Sequence, residues 1–230
     1  ARGLGDRVRL ATPVTRIERG TNGVRVVTER ETVAADAVLV AVPPAMAAGI
    51  EHAPILPPAL AQALGAWRSG TVIKVLIRYG RAFWRDSGRS GMVMWRQPSG
   101  LFAFDLSRDA GHAGLAFFIG GPLALEWGRL SNEALRAEVT ARLVEALGPE
   151  AGDMLDMTIR DWSNDRWSGG AYSDLIVDMQ ARDAEAVLRA GAPPLFFASS
   201  ELSPSFPGYV EGAIVAGREA AAKILAAIRT

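Results

Sequence analysis

The sequence predicts an α+β fold with mixed sheets, and three observations support this class. Segments with helical periodicity and segments typical of strands alternate along the 230 residues instead of separating into two halves. Several of the predicted strands are continuous apolar runs, as expected for strands that are buried on both faces. Hydrophobic residues make up 49% of the chain, which is enough for a sizeable core and argues against disorder.

The N-terminal part of the chain is predicted to form a β-meander followed by a buried strand. Short strands are predicted at residues 5–10 and 12–18, and a glycine turn leads from the second of these into another strand at 24–28. Residues 37–42 form a continuous apolar run that two prolines close. This run predicts a central strand that ends at the prolines.

The middle of the chain is predicted to form a sheet with accompanying helices. A helix at 59–67 follows a proline-rich break, and a β-branched apolar stretch at 71–79 predicts a strand. Weaker strand signals lie at 92–95 and 101–104, and a buried strand is predicted at 115–119.

Two further elements are predicted in this middle region, a helix with a capping residue and a strand. Apolar residues recur at helical spacing over 132–147, and Ser131 is suited to cap the N-terminus of that helix. Residues 156–162 are typical of a strand.

The C-terminal region is predicted to form a strand, a loop and a long helix. The apolar run 195–198 predicts a buried strand, and 204–208 a turn. Small residues and alanines from about residue 208 onward predict the helix. A helix that begins after such a loop offers free N–H groups to an anion or a carbonyl oxygen.

The composition excludes several classes of function. The formal net charge is +0 without a basic stripe, so no nucleic-acid partner is expected. With no cysteine and only two separate histidines, no metal site is expected. No apolar run reaches the roughly 20 residues that cross a bilayer, so no membrane partner and a cytoplasmic location are expected.

Two lysines are conspicuous because the other 23 of the 25 basic residues are arginines. Lys223 lies near the end of the C-terminal helix, where a cation suits the helix dipole. Lys74 lies inside the strand predicted at 71–79, on the same face as Val72 and Leu76. Burial there would lower the pKa of the amine and favour a functional neutral form, whereas an edge strand would let the side chain reach water. The residues alone leave both interpretations open.

Residues 161–173 combine two tryptophans, a Gly-Gly pair and a tyrosine. The pattern indicates a strand end followed by a tight turn that places aromatic rings side by side. Such rings can pack a core or form a binding surface, and the residues alone favour the core.

These motifs, taken in order, resemble those of the flavin-dependent amine oxidases, the monoamine and polyamine oxidase family. Residues 195–213, which include Phe-Ala-Ser-Ser-Glu and Gly-Tyr-Val-Glu-Gly-Ala, resemble the family's C-terminal signature. The stretch 69–84, with Val-Ile-Lys and Phe-Trp, is similar to its lysine strand, and 162–172 to its Trp…Ser-Gly-Gly-x-Tyr motif. Leu-Gly-Asp-Arg-Val at 4–8 and Val-Pro-Pro at 42–44 resemble its second FAD-domain segment.

The resemblance implies a partial FAD-binding domain with a mixed-sheet substrate domain, as in the amine oxidase fold. It divides the chain into a FAD-domain segment at 1–52, a substrate-binding domain at 53–168 and a C-terminal FAD-domain segment at 169–230. The Gly-x-Gly-x-x-Gly fingerprint that opens such enzymes has no convincing match here. We therefore expect the C-terminal portion of a longer oxidase, with a separate N-terminal Rossmann-type segment or chain as a partner.

The family's functional residues then fall on ten positions. The resemblance implies that Lys74 holds a water against the flavin and that the rings of Tyr172 and Tyr209 admit the amine. It also implies that Val14 meets the adenine through its backbone and that Val210 offers its N–H to the flavin. The remaining cofactor-binding positions are Trp162, Ala171, Ser199, Ser200 and Gly208.

Three of these positions refine how the cofactor is expected to bind. Ala171 stands where the mitochondrial monoamine oxidases carry the cysteine that is linked to the flavin, so FAD is expected to bind non-covalently. Ser199 replaces a glycine, which alters the approach of the backbone to the pyrophosphate. Ser200 is expected to contact the ribityl chain or a phosphate, and its hydroxyl could donate to a phosphate oxygen.

These expectations predict an enzyme that oxidises a small-molecule amine to an imine and then an aldehyde, with O₂ reduced to H₂O₂. Two alternatives remain open. A related flavoprotein oxidase that acts on amino acids would need an arginine for the substrate carboxylate. A non-catalytic module would use the same fold for binding or assembly.

Overall fold

The structure, a computed structural model, describes residues 3–21, 23–108 and 111–228. The described residues form two compact units. The first unit joins the chain up to Arg68 with the chain from Ser173 onward, and the second is the continuous stretch Ser69–Tyr172. Helices are combined with both parallel and antiparallel strand pairs, so the predicted mixed α+β class is confirmed.

The first unit begins with a β-meander, as predicted. The meander consists of β1 (Val14–Gly20), β2 (Gly23–Thr28) and β3 (Thr32–Ala35). It is followed by β4 (Val38–Val40) and β5 (Glu51–Ala53). The first three pair antiparallel, and β5 joins β1 in parallel to give the order β3-β2-β1-β5. The strand predicted at residues 5–10 is wrong. A 3₁₀ turn occupies Gly5–Arg7, where two backbone N–H groups bond back three residues and close a turn.

Prolines begin both short helices of this part of the unit. α1 (Pro44–Ala47) follows β4, and α2 (Pro58–Gly65) follows β5. Proline is tolerated at the first helical position because the N–H it lacks would have no partner there. α2 ends before Trp67, which begins β6 (Trp67–Ser69), so the helix predicted at 59–67 is shorter at its C-terminus.

The second unit is built on one antiparallel sheet. Its elements are β7 (Val72–Tyr79), α3 (Phe83–Asp86), β8 (Val93–Met94), β9 (Leu101–Asp105), β10 (Ala113–Gly120), α4 (Pro122–Trp127), α5 (Asn132–Leu147) and β11 (Asp156–Asp161). The strand order is β11-β7-β10-β9-β8. β7 therefore has a partner on each side, and the edge-strand interpretation of Lys74 is wrong.

The two faces of this sheet have different roles. One face carries Ile73, Val75 and Ile77, which are buried in a core that includes the apolar side of α5. The predicted cap of α5 is confirmed, because Ser131 Oγ accepts the N–H of Ala134 at 3.1 Å. The opposite face is only partly covered. It is the face that carries Lys74.

The remaining elements return to the first unit. They are β12 (Asp174–Ile176), α6 (Ala184–Ala190), β13 (Leu195–Phe197) and α7 (Val210–Ala227). β12 pairs with β6, and β13 pairs in parallel with β4. Within the described residues β4 has β13 as its one partner strand, so the prediction of a central strand is not met there. The long C-terminal helix is confirmed, with its start at Val210.

Two searches of the described residues gave negative results. None of the helices combines the length and the apolar character that crossing a bilayer requires. No cluster of three or more His, Cys, Asp or Glu side chains is arranged to hold a metal ion within the same part of the chain.

Candidate active site

Lys74 reaches over aromatic rings on the open face of the second unit's sheet. Phe118 is its direct partner in the register between β7 and β10. The Lys74 Nζ atom lies 5.1 Å from the ring centroid of Phe118 and 5.7 Å from that of Tyr172. Among the described residues no carboxylate forms an ion pair with it. The half-buried amine is thus available to a ligand or a water, with π faces beside it.

Three phenylalanines extend this aromatic surface, and we call Phe102, Phe104 and Phe118 the phenylalanine stack. Phe118 lies directly opposite Phe102 across β10 and β9, and their centroids are 4.5 Å apart with planes inclined by 2°. Phe104, two residues along β9, is 5.5 Å from Phe118 at 16°. The stack follows from strand geometry, since residues two apart share a face and opposed residues are neighbours.

The carboxylate of Asp165 holds the loop between Trp162 and Tyr172 together. Asp165 Oδ1 accepts the backbone N–H groups of Trp167 at 3.0 Å and Ser168 at 2.9 Å, and also the Ser168 hydroxyl. Arg160 forms an ion pair with the other oxygen. The hydrogen bonds from Ser168, then that from Trp167, and finally the Arg160 charge hold the pKa of Asp165 below its usual range.

The Gly-Gly pair brings the end of this loop against Gly70, which lies two residues before β7. The backbone φ of Gly170 is +151°, and a Cβ there would overlap the carbonyl oxygen of Gly70. The next residue, Ala171, donates its N–H to that same oxygen at 2.9 Å. Only glycine permits the approach, and the result is that Tyr172 emerges beside Lys74.

Tyr172 and Trp162 complete the surface. The Tyr172 ring is 60% exposed and lies 5.8 Å from the Phe118 centroid. Burial of its remaining surface raises the pKa of Tyr172 to about 12, so the phenol keeps its proton at neutral pH. The Trp162 indole packs against the same cluster, with the Arg160 guanidinium 5.1 Å from its ring centroid. Of the predicted residues, Lys74, Trp162, Ala171 and Tyr172 therefore share one surface of the second unit.

A cavity of about 270 Å³ lies in the first unit, where the parallel strands β4 and β13 end. In parallel α/β sheets ligands bind at the carboxyl ends of the strands. It is lined by Leu39 on β4, by Ala41 and Pro43 after β4, by Ala198, Ser199, Ser200 and Glu201 after β13, and by Ala213 and Gly217 on α7. We call this the β4–β13 cavity.

The residues around this cavity suit a cofactor with polar groups. Ser199 Oγ is buried there without a hydrogen-bond partner among the described residues, which indicates a missing ligand atom. Gly208, at φ +80°, donates its N–H to Ser200 O at 3.1 Å and turns the loop towards α7. Tyr209 then precedes Val210, the first residue of α7, whose first-turn N–H groups have no intrahelical acceptors.

The comparison with known proteins identifies the family. The family model described as flavin containing amine oxidoreductase matches residues 1–225. The chain belongs to this family. Its fold is therefore the FAD-dependent amine oxidase fold, and the predicted resemblance is confirmed.

Individual relatives agree with this family. Amine oxidase [flavin-containing] B of Mus musculus is 30% identical over 98% of this chain and 44% of its own length. The structure of cyclohexylamine oxidase from Brevibacterium oxydans superposes with a TM-score of 0.88 and 30% identity over 95% of this chain and 49% of that one. The structure of putrescine oxidase bound to putrescine superposes with a TM-score of 0.91 and 29% identity, over 98% of this chain and 51% of that one. The chain spans about half the length of these relatives.

Not every residue predicted for the site is brought together. Val14 begins β1 on the four-stranded sheet and is not among the residues that line the β4–β13 cavity. Tyr209 is 70% exposed in the first unit, whereas Tyr172 belongs to the second. The pairing of the two tyrosine rings in this amine oxidase family member stays a prediction.

Sequence reasoning missed several residues that shape these two surfaces. Phe118, Phe102 and Phe104 were not singled out, although Phe-x-Phe at 102–104 is the alternation of a strand with one aromatic face. Glu201 was also missed. It is only 7% exposed, and no local pattern marks a glutamate in a 3₁₀ turn as buried.

Proposed function

We propose that the full-length protein is an FAD-dependent oxidase of a small-molecule amine, with O₂ as the electron acceptor. The observation that carries this is the amine of Lys74. It lies without an ion-pair partner, among the described residues, on an aromatic surface that also contains Tyr172 and Trp162. A lysine on a strand inside the sheet contributes little to a core, so its position supports a role in chemistry.

The cofactor-binding residues that the family resemblance implies are proposed here as well. Ser199, Ser200, Gly208 and the Val210 N–H are the groups we assign to the cofactor around the β4–β13 cavity. Trp162 and Ala171 are assigned to the flavin ring, and Val14 to the adenine. Ala171 has a methyl group where a thioether would need sulfur, and the chain contains no cysteine, which supports non-covalent binding.

A bound flavin would supply the two-electron oxidation of the substrate α-carbon, with O₂ as the final electron acceptor and H₂O₂ as its product. The chain's own groups do the positioning. The neutral phenol ring of Tyr172 offers a π face to the amine, and Tyr209 is proposed as the second wall. Lys74 Nζ donates a hydrogen bond that keeps a water in place beside the reacting atoms. The first turn of α7 favours negative charge on the cofactor.

We also propose that an N-terminal Rossmann-type segment, or a separate chain that contains one, completes the cofactor site. The parallel pair β4 and β13 supports this, because parallel sheets are rarely stable with two strands. A further parallel strand beside this pair would supply the glycine-rich turn that the present sequence lacks.

The test is anaerobic mixing of the purified full-length protein with benzylamine, cyclohexylamine and putrescine. We expect flavin absorbance between about 350 and 500 nm that bleaches with at least one amine and returns with O₂ and H₂O₂ release. Acid precipitation should leave the flavin in the supernatant. A colourless folded protein, or a yellow one that no amine bleaches, would contradict the proposal, and flavin in the pellet would contradict non-covalent binding.

Oxidation of an amino acid is less well supported. Arg160 lies opposite Lys74 in the register of β11 and β7, where it could bind a carboxylate. Its guanidinium is already paired with Asp165 and stacked on Trp162. Competition between phenethylamine and phenylalanine checks this, and we expect the amine to be the better substrate.

A further inference from the structure

His52, one of only two histidines in the chain, lies on β5 of the first unit. β5 is the end strand of the four-stranded sheet, and in its parallel register with β1 His52 pairs with Ile17. Residues paired in this way share a face of the sheet. Ile17 is buried in a core that includes Leu60 and Leu64 of α2, so the imidazole lies on the apolar face.

Neither ring nitrogen of His52 has a hydrogen-bond partner among residues 3–21, 23–108 and 111–228, although both Nδ1 and Nε2 are buried. A neutral imidazole has one N–H group, whereas an imidazolium has two and carries a charge. Protonation of the ring in its present position would therefore add a second unpaired donor and a desolvated charge.

The charge that acts on this ring has the same sign as an imidazolium. Arg19 lies two residues beyond Ile17 on the same face of β1. Its Nη2 donates to Pro54 O at 2.7 Å and to Ile55 O at 2.9 Å, which fixes the guanidinium at the end of β5. Burial first, and then the Arg19 charge, hold the pKa of His52 below its ordinary value of 6.5.

The neighbouring elements supply no compensating carboxylate. On β5 and β1, Glu51 and Glu18 point to the opposite face, because neighbours along a strand alternate. α1 and α2 contain no titratable residue. Asp174 of β12 already accepts a backbone N–H group of α1 at 2.7 Å. On α6, Glu185 forms an ion pair with Arg189 at 3.4 Å.

We infer that His52 is an acid-sensitive switch of the first unit, in which protonation of the ring detaches the end strand β5 from β1 while the second unit keeps its structure. Opening of β5 gives the imidazolium water as a hydrogen-bond partner and separates it from the guanidinium. The inference concerns the fold of the first unit and does not depend on the proposed flavin chemistry.

The pH range of the switch follows from the direction of the pKa shift. A histidine whose folded pKa is lowered stabilises the fold above its unfolded pKa, and this contribution is lost as the pH falls below about 6.5 towards the folded pKa. In the second unit the lowered pKa values belong to the carboxyls of Asp105 and Asp165, which lose their contribution below about pH 4. The two units should therefore respond to acid in separate pH ranges.

The experiment is hydrogen exchange of the full-length protein at about pH 7.5 and about pH 5.5, measured by mass spectrometry and corrected for the intrinsic exchange rates. Protection factors in β1 and β5 should fall by roughly five- to tenfold, because one histidine changes an opening equilibrium by at most about tenfold per pH unit. Protection factors in β7, β10 and β11 should stay within about twofold.

Two variants and one measurement on the wild type assign the effect to the ring. His52→Phe keeps a flat buried ring that takes no proton, and it should abolish the fall in β1 and β5. His112→Gln is the matched control, because this other histidine is exposed and belongs to the second unit, and it should behave as the wild type. Deuterium exchange at the imidazole C2 position of the folded wild type should give a pKa of His52 below 6.5.

Three results would overturn the inference. Unchanged protection of β1 and β5 in the wild type, or a fall that persists in His52→Phe, would mean that the ring is no switch. An equal fall in the five-stranded sheet would mean that acid acts on the whole protein. A pKa of His52 at or above 6.5 would mean that the ring already has an acceptor, and this result can be read even if His52→Phe does not fold.

Discussion

The two units of the chain differ in how their functional surfaces are assembled. The second unit is one continuous segment. The antiparallel register of its sheet positions Lys74 and Phe118, and the loop after β11 places Tyr172 beside them. The first unit joins two segments that are more than a hundred residues apart, and its cavity depends on the parallel pair β4 and β13. The aromatic surface is thus a product of local folding, whereas the cavity is a product of long-range pairing.

This difference predicts which of the two surfaces a core mutation will disturb. A core change in the second unit should disturb the lysine surface and leave the first unit's sheets in place. A change at the β4 and β13 pair should weaken cofactor binding before it affects the five-stranded sheet. Units that unfold separately can be distinguished by hydrogen exchange, because each opens with its own free energy.

Phe117→Ala should have the largest effect. Phe117 lies on β10 and is fully buried in the core between the five-stranded sheet and α5. Its loss leaves a cavity and should cost about 3–5 kcal/mol of unfolding free energy. Hydrogen exchange should show lost protection in β7, β10 and β11. The exposed control Leu125→Ala should change stability by less than about 0.5 kcal/mol. Equal loss of protection in both units would contradict their independence.

Leu195→Ala should be the corresponding change in the first unit. Leu195 is fully buried on β13 and pairs with Val38 of β4. We expect a cost of about 2–4 kcal/mol, lost amide protection in β4 and β13, and weaker FAD binding. Leu175→Ala on β12, where the side chain is 63% exposed, is the control. If FAD affinity were unchanged by Leu195→Ala, the cavity would not be the cofactor site.

Asp105→Asn should reveal a pH dependence that is confined to the second unit. Asp105 accepts hydrogen bonds from Trp84 Nε1 at 2.9 Å, Arg85 Nε at 2.8 Å and the Ser107 N–H at 2.6 Å. Burial raises the pKa of this carboxyl, but the hydrogen bonds from Ser107, Trp84 and Arg85 together outweigh burial and leave the pKa lowered.

The sign of the effect follows from that lowered pKa. Ionised Asp105 stabilises the fold above its unfolded pKa, and this contribution disappears as the pH falls through the folded pKa. Asp105→Asn should cost about 1–3 kcal/mol at neutral pH, and the difference from wild type should shrink below about pH 4. Urea denaturation at several pH values measures it. Asp86→Asn, at a largely exposed carboxylate, should change the unfolding free energy by less than about 1 kcal/mol at neutral pH.

Ser199→Ala should have a small effect on stability. The sign of this effect should differ between the flavin-free protein and the FAD-bound protein. The Ser199 hydroxyl is buried without a partner among the described residues. Its removal should stabilise the flavin-free protein by up to about 1 kcal/mol and reduce the stabilisation that FAD adds. Thermal unfolding with and without FAD tests this. A loss of stability without FAD would show that the hydroxyl already has a partner.

The sequence was sufficient for elements whose signals are local. The strand at 71–79, the capped helix at 132–147 and the helix after Tyr209 were predicted from periodicity and caps, and the alternation of β7 placed Lys74 opposite its buried neighbours. Residues 5–10 were wrongly predicted as a strand, because a short apolar–polar alternation such as Arg-Val-Arg-Leu does not say whether a partner strand exists.

Only the site residues that lie in the family's sequence motifs could be predicted. The family resemblance led to Lys74, Trp162 and Tyr172, which the structure brings onto one surface. That Phe118 lies opposite Lys74 depends on which strands pair and in which register, and a single sequence does not contain this information. The burial of Glu201 depends on the long-range pairing of β4 with β13.

The most direct test of the account is stopped-flow kinetics of flavin reduction and reoxidation in Lys74→Met. The other lysine provides the control, because Lys223 Nζ donates to Arg189 O at 2.8 Å and does not line the β4–β13 cavity. If Lys74 serves the flavin reaction, Lys74→Met should slow at least one half-reaction by roughly tenfold or more, and Lys223→Met should leave both unchanged. Wild-type rates of both half-reactions in Lys74→Met would contradict the assigned role.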